Sequence, residues 1–105
     1  TAVTGVQTGV FRSETPPRFL RGDAPLYPLT QVYAHNSGSA EVEFTIGTDG
    51  RAHDIRVISA TYPYFGSHTV LAMATWKFEP ARKHGQPVPV TMRQTIQFIS
   101  PRKKD

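Results

Sequence analysis

Apolar and polar residues alternate most regularly over residues 40–46, where Val42, Phe44 and Ile46 are separated by Glu41, Glu43 and Thr45. Successive side chains of a strand point to opposite faces, so this segment reads as a strand with one buried face. Asp49-Gly50 follows, and Asp-Gly between extended segments predicts a hairpin, because glycine accepts the positive φ of a tight reversal. Residues 52–59 form its partner strand. The same period of two returns over residues 88–99, which puts Val88, Val90, Met92, Gln94, Ile96 and Phe98 on one face of the longest strand. Two other stretches have helical spacing. Residues 28–35 open with Pro28, tolerated in a first turn, and align Leu29, Val32 and Tyr33 before Asn36-Ser37-Gly38 ends the run. Residues 65–77 offer Ser67 as N-cap and align Thr69, Ala72, Met73 and Trp76, with Glu79-Pro80 as the stop.

Helix, strand, strand, helix, strand predicts an α+β fold: an antiparallel three-stranded sheet packed on one face by two helices. The sheet becomes four-stranded if Val6, Val10 and Phe11 form a short edge strand. Otherwise residues 1–24 read as a mostly irregular arm or linker, since Pro16 and Pro17 interrupt any helix there. A domain over residues 25–99 follows, and residues 100–105 form a basic polar tail. The expected core is Val42, Phe44, Ile46, Val57, Trp76, Phe78, Val90 and Phe98.

At 105 residues the chain holds one domain with one modest core, to which six Phe, four Tyr and one Trp contribute large rings. With no cysteine, stability rests on packing without disulfides or thiolate metal sites. No apolar run has the length of a membrane-spanning helix. Because the chain begins at Thr1, it is expected to be a processed secreted protein or a piece of something longer. The net charge of +4 permits an acidic partner, and between Glu79 and Asp105 the basic residues Arg82, Lys83, Arg93, Arg102, Lys103 and Lys104 stand without an acidic one. His35, His53, His68 and His84 have no metal-ligand spacing, and nothing resembles a nucleophile elbow, so neither metal, cofactor nor enzymatic activity is expected.

The landmarks fall in a specific order. Leu26-Tyr27-Pro28, the strand from Ala40 running into Asp49-Gly50, Ile55-Arg56-Val57-Ile58-Ser59, Phe65, Trp76-Lys77-Phe78-Glu79-Pro80-Ala81, Gly85-Gln86-Pro87-Val88 and a last strand ending in Phe98 together resemble the TonB C-terminal domain family over about residues 25 to 99. Their physical meaning is mainly structural: Trp76 and Phe78 anchor a helix on the sheet, Asp49-Gly50 turns the hairpin and Pro80 ends the helix.

The resemblance implies a periplasmic protein-binding module of the bacterial envelope, coupling transport such as siderophore uptake to inner-membrane energy. In such domains the exposed edge of the last strand accepts a peptide from the N-terminus of an outer-membrane transporter, with backbone groups supplying affinity and side chains selection. Carried onto this chain, the contact segment is Thr91, Met92, Arg93, Gln94, Thr95, Ile96 and Gln97, with Arg93 set to meet an acidic residue and Leu26 and Tyr27 contributing beside it. Pro89 and Arg93 also suit an edge blunted against aggregation. Relatives commonly have Gln where this chain has Leu26, which removes an amide from that contact. Leu71, Ala74 and Thr75 replace charged residues on the outward face of the second helix, a surface open to a partner or a homodimer. Inner-membrane motor proteins would be reached through regions absent from this chain, and a membrane only through a missing anchor. The alternatives are a TonB-like structural adaptor in another envelope machine, and a single-stranded nucleic-acid binder. The second is disfavoured because the aromatics fall at core positions; its binding would weaken steeply with salt.

Overall fold

The alternation that marks residues 40–46 becomes the middle of the molecule. In a computed structural model, which describes residues 14–99 in full and strand β1 (Val3–Thr8) through its backbone, β3 (Gly38–Ile46) buries Ala40, Val42, Phe44 and Ile46 to 1% exposure or less. It pairs on one side with β4 (Ala52–Ala60) and on the other with β8 (Val90–Phe98). The main sheet runs β1-β8-β3-β4, each neighbouring pair antiparallel. The fold is thus α+β, with the fourth strand present at residues 3–8; the expected strand positions Val10 and Phe11, and the tail at 100–105, lie outside the described residues.

The hairpin turns as its composition dictates. Gly50 has φ +78, and a Cβ there would lie 2.3 Å from the carbonyl oxygen of Phe78, so glycine is needed for both conformation and approach. That approach is used: the Phe78 N–H donates to Gly50 O at 2.8 Å and Lys77 Nζ donates to Asp49 O at 2.7 Å.

Helix α1 (Leu29–Tyr33) is a short turn with no buried residue; Leu29 and Tyr33 stay exposed, so the face expected from their spacing covers little. Helix α2 (Pro63–Met73) lies over β3 and β4. It starts two residues before Phe65, with Pro63 in its first turn and Tyr62 as N-cap; Ser67 sits inside it and donates to Tyr64 O at 3.3 Å, so Ser67 is not the cap. It also ends earlier than its sequence pattern suggests. The chain from Lys77 to Glu79 is instead β5, paired with β2 (Arg18–Arg21) in the arm that composition marks as irregular. Backbone bonds to Gly50 and to β2 outweigh the helical spacing, a tertiary effect that no local pattern carries. A small hairpin of β6 (Ala81–Lys83) and β7 (Gln86–Val88) leads to β8, so the last strand starts at Val90 and not at Val88.

The core is aromatic. Phe65 stacks on Phe98 at 4.4 Å between ring centroids, Tyr27 meets both edge-on, and Phe44, Trp76 and Phe78 pack with Phe19 of β2. Trp76 is 2% exposed and donates from Nε1 to Asp23 O at 2.8 Å, while the Asp23 N–H donates to Thr75 Oγ1. Of the expected core only Val57 is missing, at 40% exposure. It sits on the edge strand β4, where register shifts and the positive φ of Asp54 break strict alternation.

On the solvent face, Glu43 lies opposite Arg56 on β4 and Arg93 on β8, and both guanidinium groups bond its carboxylate. Hydrogen bonds from Arg56 first, and then Arg93, hold the Glu43 carboxyl below its usual value of 4.5. Asp49 is likewise lowered, first by the Arg51 N–H and then by His53.

Trp76→Ala should lower unfolding free energy by about 3–5 kcal/mol, because it opens a cavity and strands the Asp23 carbonyl. Urea denaturation followed by circular dichroism measures this; a loss below about 1 kcal/mol would show that Trp76 does not hold the core. A second expectation concerns acid. Since folding lowers the pKa of Glu43, its contribution is complete above the unfolded value near 4.5 and is lost as pH falls through the lower folded value. Thermal melts should therefore fall more steeply below that pH for the natural chain than for Glu43→Gln; parallel curves would refute the coupling.

Candidate functional site

Strand β8 is the most regular element of the sheet. It pairs with β3 without a register shift from Phe98 opposite Gly38 to Val90 opposite Ile46. Its other edge, expected from the sequence to lack backbone partners, is covered: β1 pairs antiparallel to it from Thr91 opposite Thr8 to Ile96 opposite Val3. This is a correction to the expected open edge, and its cause is general. A flat strand edge presents rows of unpaired N–H and C=O groups, and a nearby extended segment satisfies them. The cover spans six of the seven β8 residues named as a contact segment and stops short of Gln97.

The side chains of that segment divide by parity. Gln94 and Ile96 point into the core and are 4% and 0% exposed, and Met92 is half-buried against the same cluster. Thr91 lies within 3.2 Å of Thr45 through the two hydroxyls, while Arg93 and Gln97 are exposed. Arg93 is not idle. Its Nε donates to Glu43 Oε2 at 3.1 Å. Two guanidinium groups share the Glu43 carboxylate, and Glu41, opposite Thr95, adds a second carboxylate to the same face. Cross-strand opposition of Glu43 and Arg93 is the signal for this pairing, and it appears only once the register of β3 and β8 is known.

Leu26 and Tyr27 separate. Tyr27 turns inward: its hydroxyl donates to the Asn36 carbonyl and its ring meets Phe98 at 5.7 Å, so it braces the C-terminal end of β8 from the core side. Leu26 is 77% exposed and lines, with Asp23, His68, Leu71 and Thr75, a cleft of about 300 Å³ against α2. His68 Nδ1 is 2.9 Å from the Leu26 carbonyl, which fixes the arm there; as the donor, that nitrogen carries the proton. Leu71 is 71% exposed, as expected of the outward face of the second helix, and Ala74 and Thr75 are exposed beside it.

The opposite edge of the sheet differs in kind. β4 carries two register irregularities against β3, and Asp54 has φ +52. Such bulges twist an edge and stop further pairing. Among the described residues no cluster of His, Asp and Glu could hold a metal ion, and no helix is long and apolar enough to cross a membrane.

With this geometry in view, comparison with known proteins is informative. Residues 23–99 match the family described as Gram-negative bacterial TonB protein C-terminal. The chain is 40% identical over 68 residues to Protein TonB of Pseudomonas aeruginosa, a match covering 64% of this chain but only 20% of that protein. It is similar to the solution structure of the Pseudomonas aeruginosa TonB C-terminal domain, with TM-score 0.74, 30% identity and coverage of 87% of this chain and 93% of that one. The TonB2 protein of Vibrio anguillarum is similar too, at TM-score 0.61 and 27% identity, covering 90% and 92%. The matched span contains α1, β3, β4, α2 and β5 to β8, and so the chain belongs to the non-enzymatic TonB C-terminal domain family.

Proposed function

We propose that this domain is the periplasmic coupling end of an energy transducer, and that it engages the N-terminal peptide of an outer-membrane TonB-dependent transporter by strand addition at β8. The reading is carried by one observation: the outer edge of β8 is a regular antiparallel acceptor, already paired with a strand over residues 91–96. Family membership supports the partner class. Since the chain spans one fifth of its TonB relative, the membrane anchor, the spacer and the contact with inner-membrane motor proteins belong in this proposal to parts outside this chain.

In this mechanism the domain makes and breaks no covalent bond. Backbone N–H and C=O groups of β8 bind the incoming peptide whatever its sequence, and the outward residues Arg93, Thr95 and Gln97 meet its side chains on the solvent face. Tyr27, packed under Phe98, keeps the end of the acceptor strand in place. Arg93, the basic residue of β8, is exposed beside Glu43 and is placed to meet a carboxylate on the incoming peptide. The outward positions of β3 and β8 hold Ser39, Glu41, Glu43, Thr45, Thr91, Arg93, Thr95 and Gln97, without an aromatic on which bases could stack, and this supports a peptide over a nucleic acid.

A synthetic peptide from the N-terminus of such a transporter should shift the backbone amides of residues 91–97 in an NMR titration. Shifts confined to α2 or to the arm before Pro25 would overturn the assignment. Arg93→Gln should weaken an acidic peptide by about 1 kcal/mol, the size of an exposed charge contact, and leave a neutral peptide unaffected. Equal losses for both peptides would remove Arg93 from the selection.

A further inference from the structure

The amide nitrogen Nε2 of Gln94 is buried and has no hydrogen-bond partner, in a residue only 4% exposed. An unpaired buried donor carries a penalty on the order of ten-fold in an equilibrium constant. Gln94 is central in β8, with Val42 opposite it on β3 and Gly5 opposite it on β1. Residues directly opposed across an antiparallel pair carry their side chains on the same face, with Cβ atoms about 5 Å apart. Valine offers no acceptor and glycine has no side chain, so neither of the two residues directly opposite Gln94 supplies what the amide lacks.

The strand that covers the edge is also held by proximity. Residues 9–13 separate β1 from Glu14 and Thr15, whose N–H groups donate to Arg82 O at 2.9 and 3.1 Å, close in sequence to where β8 begins. A short tether to a fixed anchor raises local concentration and lets a strand occupy an edge to which it is poorly matched. The sequence of β1, Val-Thr-Gly-Val-Gln-Thr, carries no charge, whereas β8 carries Arg93.

We infer that β1 is an internal stand-in for the partner strand, and that Gln94 selects a partner bearing a hydrogen-bond acceptor, a carboxylate or side-chain amide, at the register position held by Gly5. The inference rests on the reading of β8 as a strand acceptor and adds who occupies it at rest and what displaces the occupant. The tethered strand lowers the apparent affinity of any partner by the fraction of time the edge is covered. A partner that satisfies Gln94 regains an advantage β1 cannot match. Loosely fitting extended segments are therefore excluded while the edge stays protected.

The test uses two synthetic peptides of residues 1–12, one natural and one with Asn in place of Gly5, titrated into labelled full-length protein. Gly5→Pro with Val6→Pro removes at least one donor aimed at β8, because the N–H groups of consecutive strand residues alternate in direction. This variant should bind both peptides at residues 91–96, the Asn form about ten-fold tighter, and the natural chain should bind each at least about ten-fold more weakly. In a chain that also carries Gln94→Leu the two peptides should bind alike. Equal affinity of both proteins, equal affinity for both peptides, or no binding by the proline variant each overturns the inference. A parallel titration with a transporter peptide separates it from the functional reading. If that peptide binds both proteins equally, the stand-in fails while strand addition survives; if it binds neither while the chain's own peptides bind, the transporter reading fails and the inference holds. Gly5→Asn in the otherwise intact chain needs no added peptide: exchange of those amides within 91–96 that face β1 should slow about ten-fold, and unchanged exchange of these overturns the role of Gln94.

Discussion

The indole of Trp76 has to satisfy three stretches of chain at once. Its Nε1 is tied to the Asp23 carbonyl in the arm, its ring meets Phe19 of β2 and Phe44 of β3, and the residues after it run as β5 against the hairpin turn at Gly50. A buried polar group with a single good partner gives position as well as stability, because the fold loses the bond if the arm slides. With Asp23 fixed, the path to Tyr27 is short, and Tyr27 closes the aromatic cluster with Phe65 and Phe98 at the end of β8. The acceptor strand is thus supported from below by packing that begins at Trp76.

A sheet that binds by strand addition has a conflict built into it. The edge must be long and flat to accept a peptide, and such an edge also invites pairing with any extended chain. Under the proposed function, the two edges of this sheet resolve the conflict differently. β4 is bulged and so spoiled as a template, whereas β8 keeps its regularity and is covered by the chain's own β1. A reversible cover, as proposed for β1, would preserve the capacity of that edge to bind.

Charge contributes less than composition suggests. Of the basic residues in the last quarter of the chain, Arg93 lies on the acceptor strand, while Arg82 and Lys83 lie on β6. Its electrostatic setting is decided by Glu43 and Arg56 on neighbouring strands, so a local cluster with one carboxylate and two guanidinium groups matters more there than the net charge of +4.

Much of the framework was legible in the residues. The alternation of Val42, Phe44 and Ile46, Asp49-Gly50, and the polar and apolar parities of residues 90–98 depend on geometry of period two, which is local. Most of the family landmarks are of the same kind, with Phe65, Trp76, Phe78 and Phe98 in the core and Asp49-Gly50 in a turn, while Leu26 and Val57 are exposed. What stayed hidden depends on contacts between distant residues. Arg18–Arg21 is a strand because Lys77–Glu79 lies beside it, and Lys77 leaves the helical pattern for the same reason. Val57 is half-exposed because the bulges of β4 spoil its alternation. The contact segment proposed on β8 was an expectation carried over from the resemblance, whereas the cover by β1, the commitment of Arg93 to Glu43 and the orphaned amide of Gln94 come from the structure. A strand's own residues determine which face it buries; which strand lies beside it is settled by loop closure and edge satisfaction across the whole chain, and only the tertiary structure records that outcome.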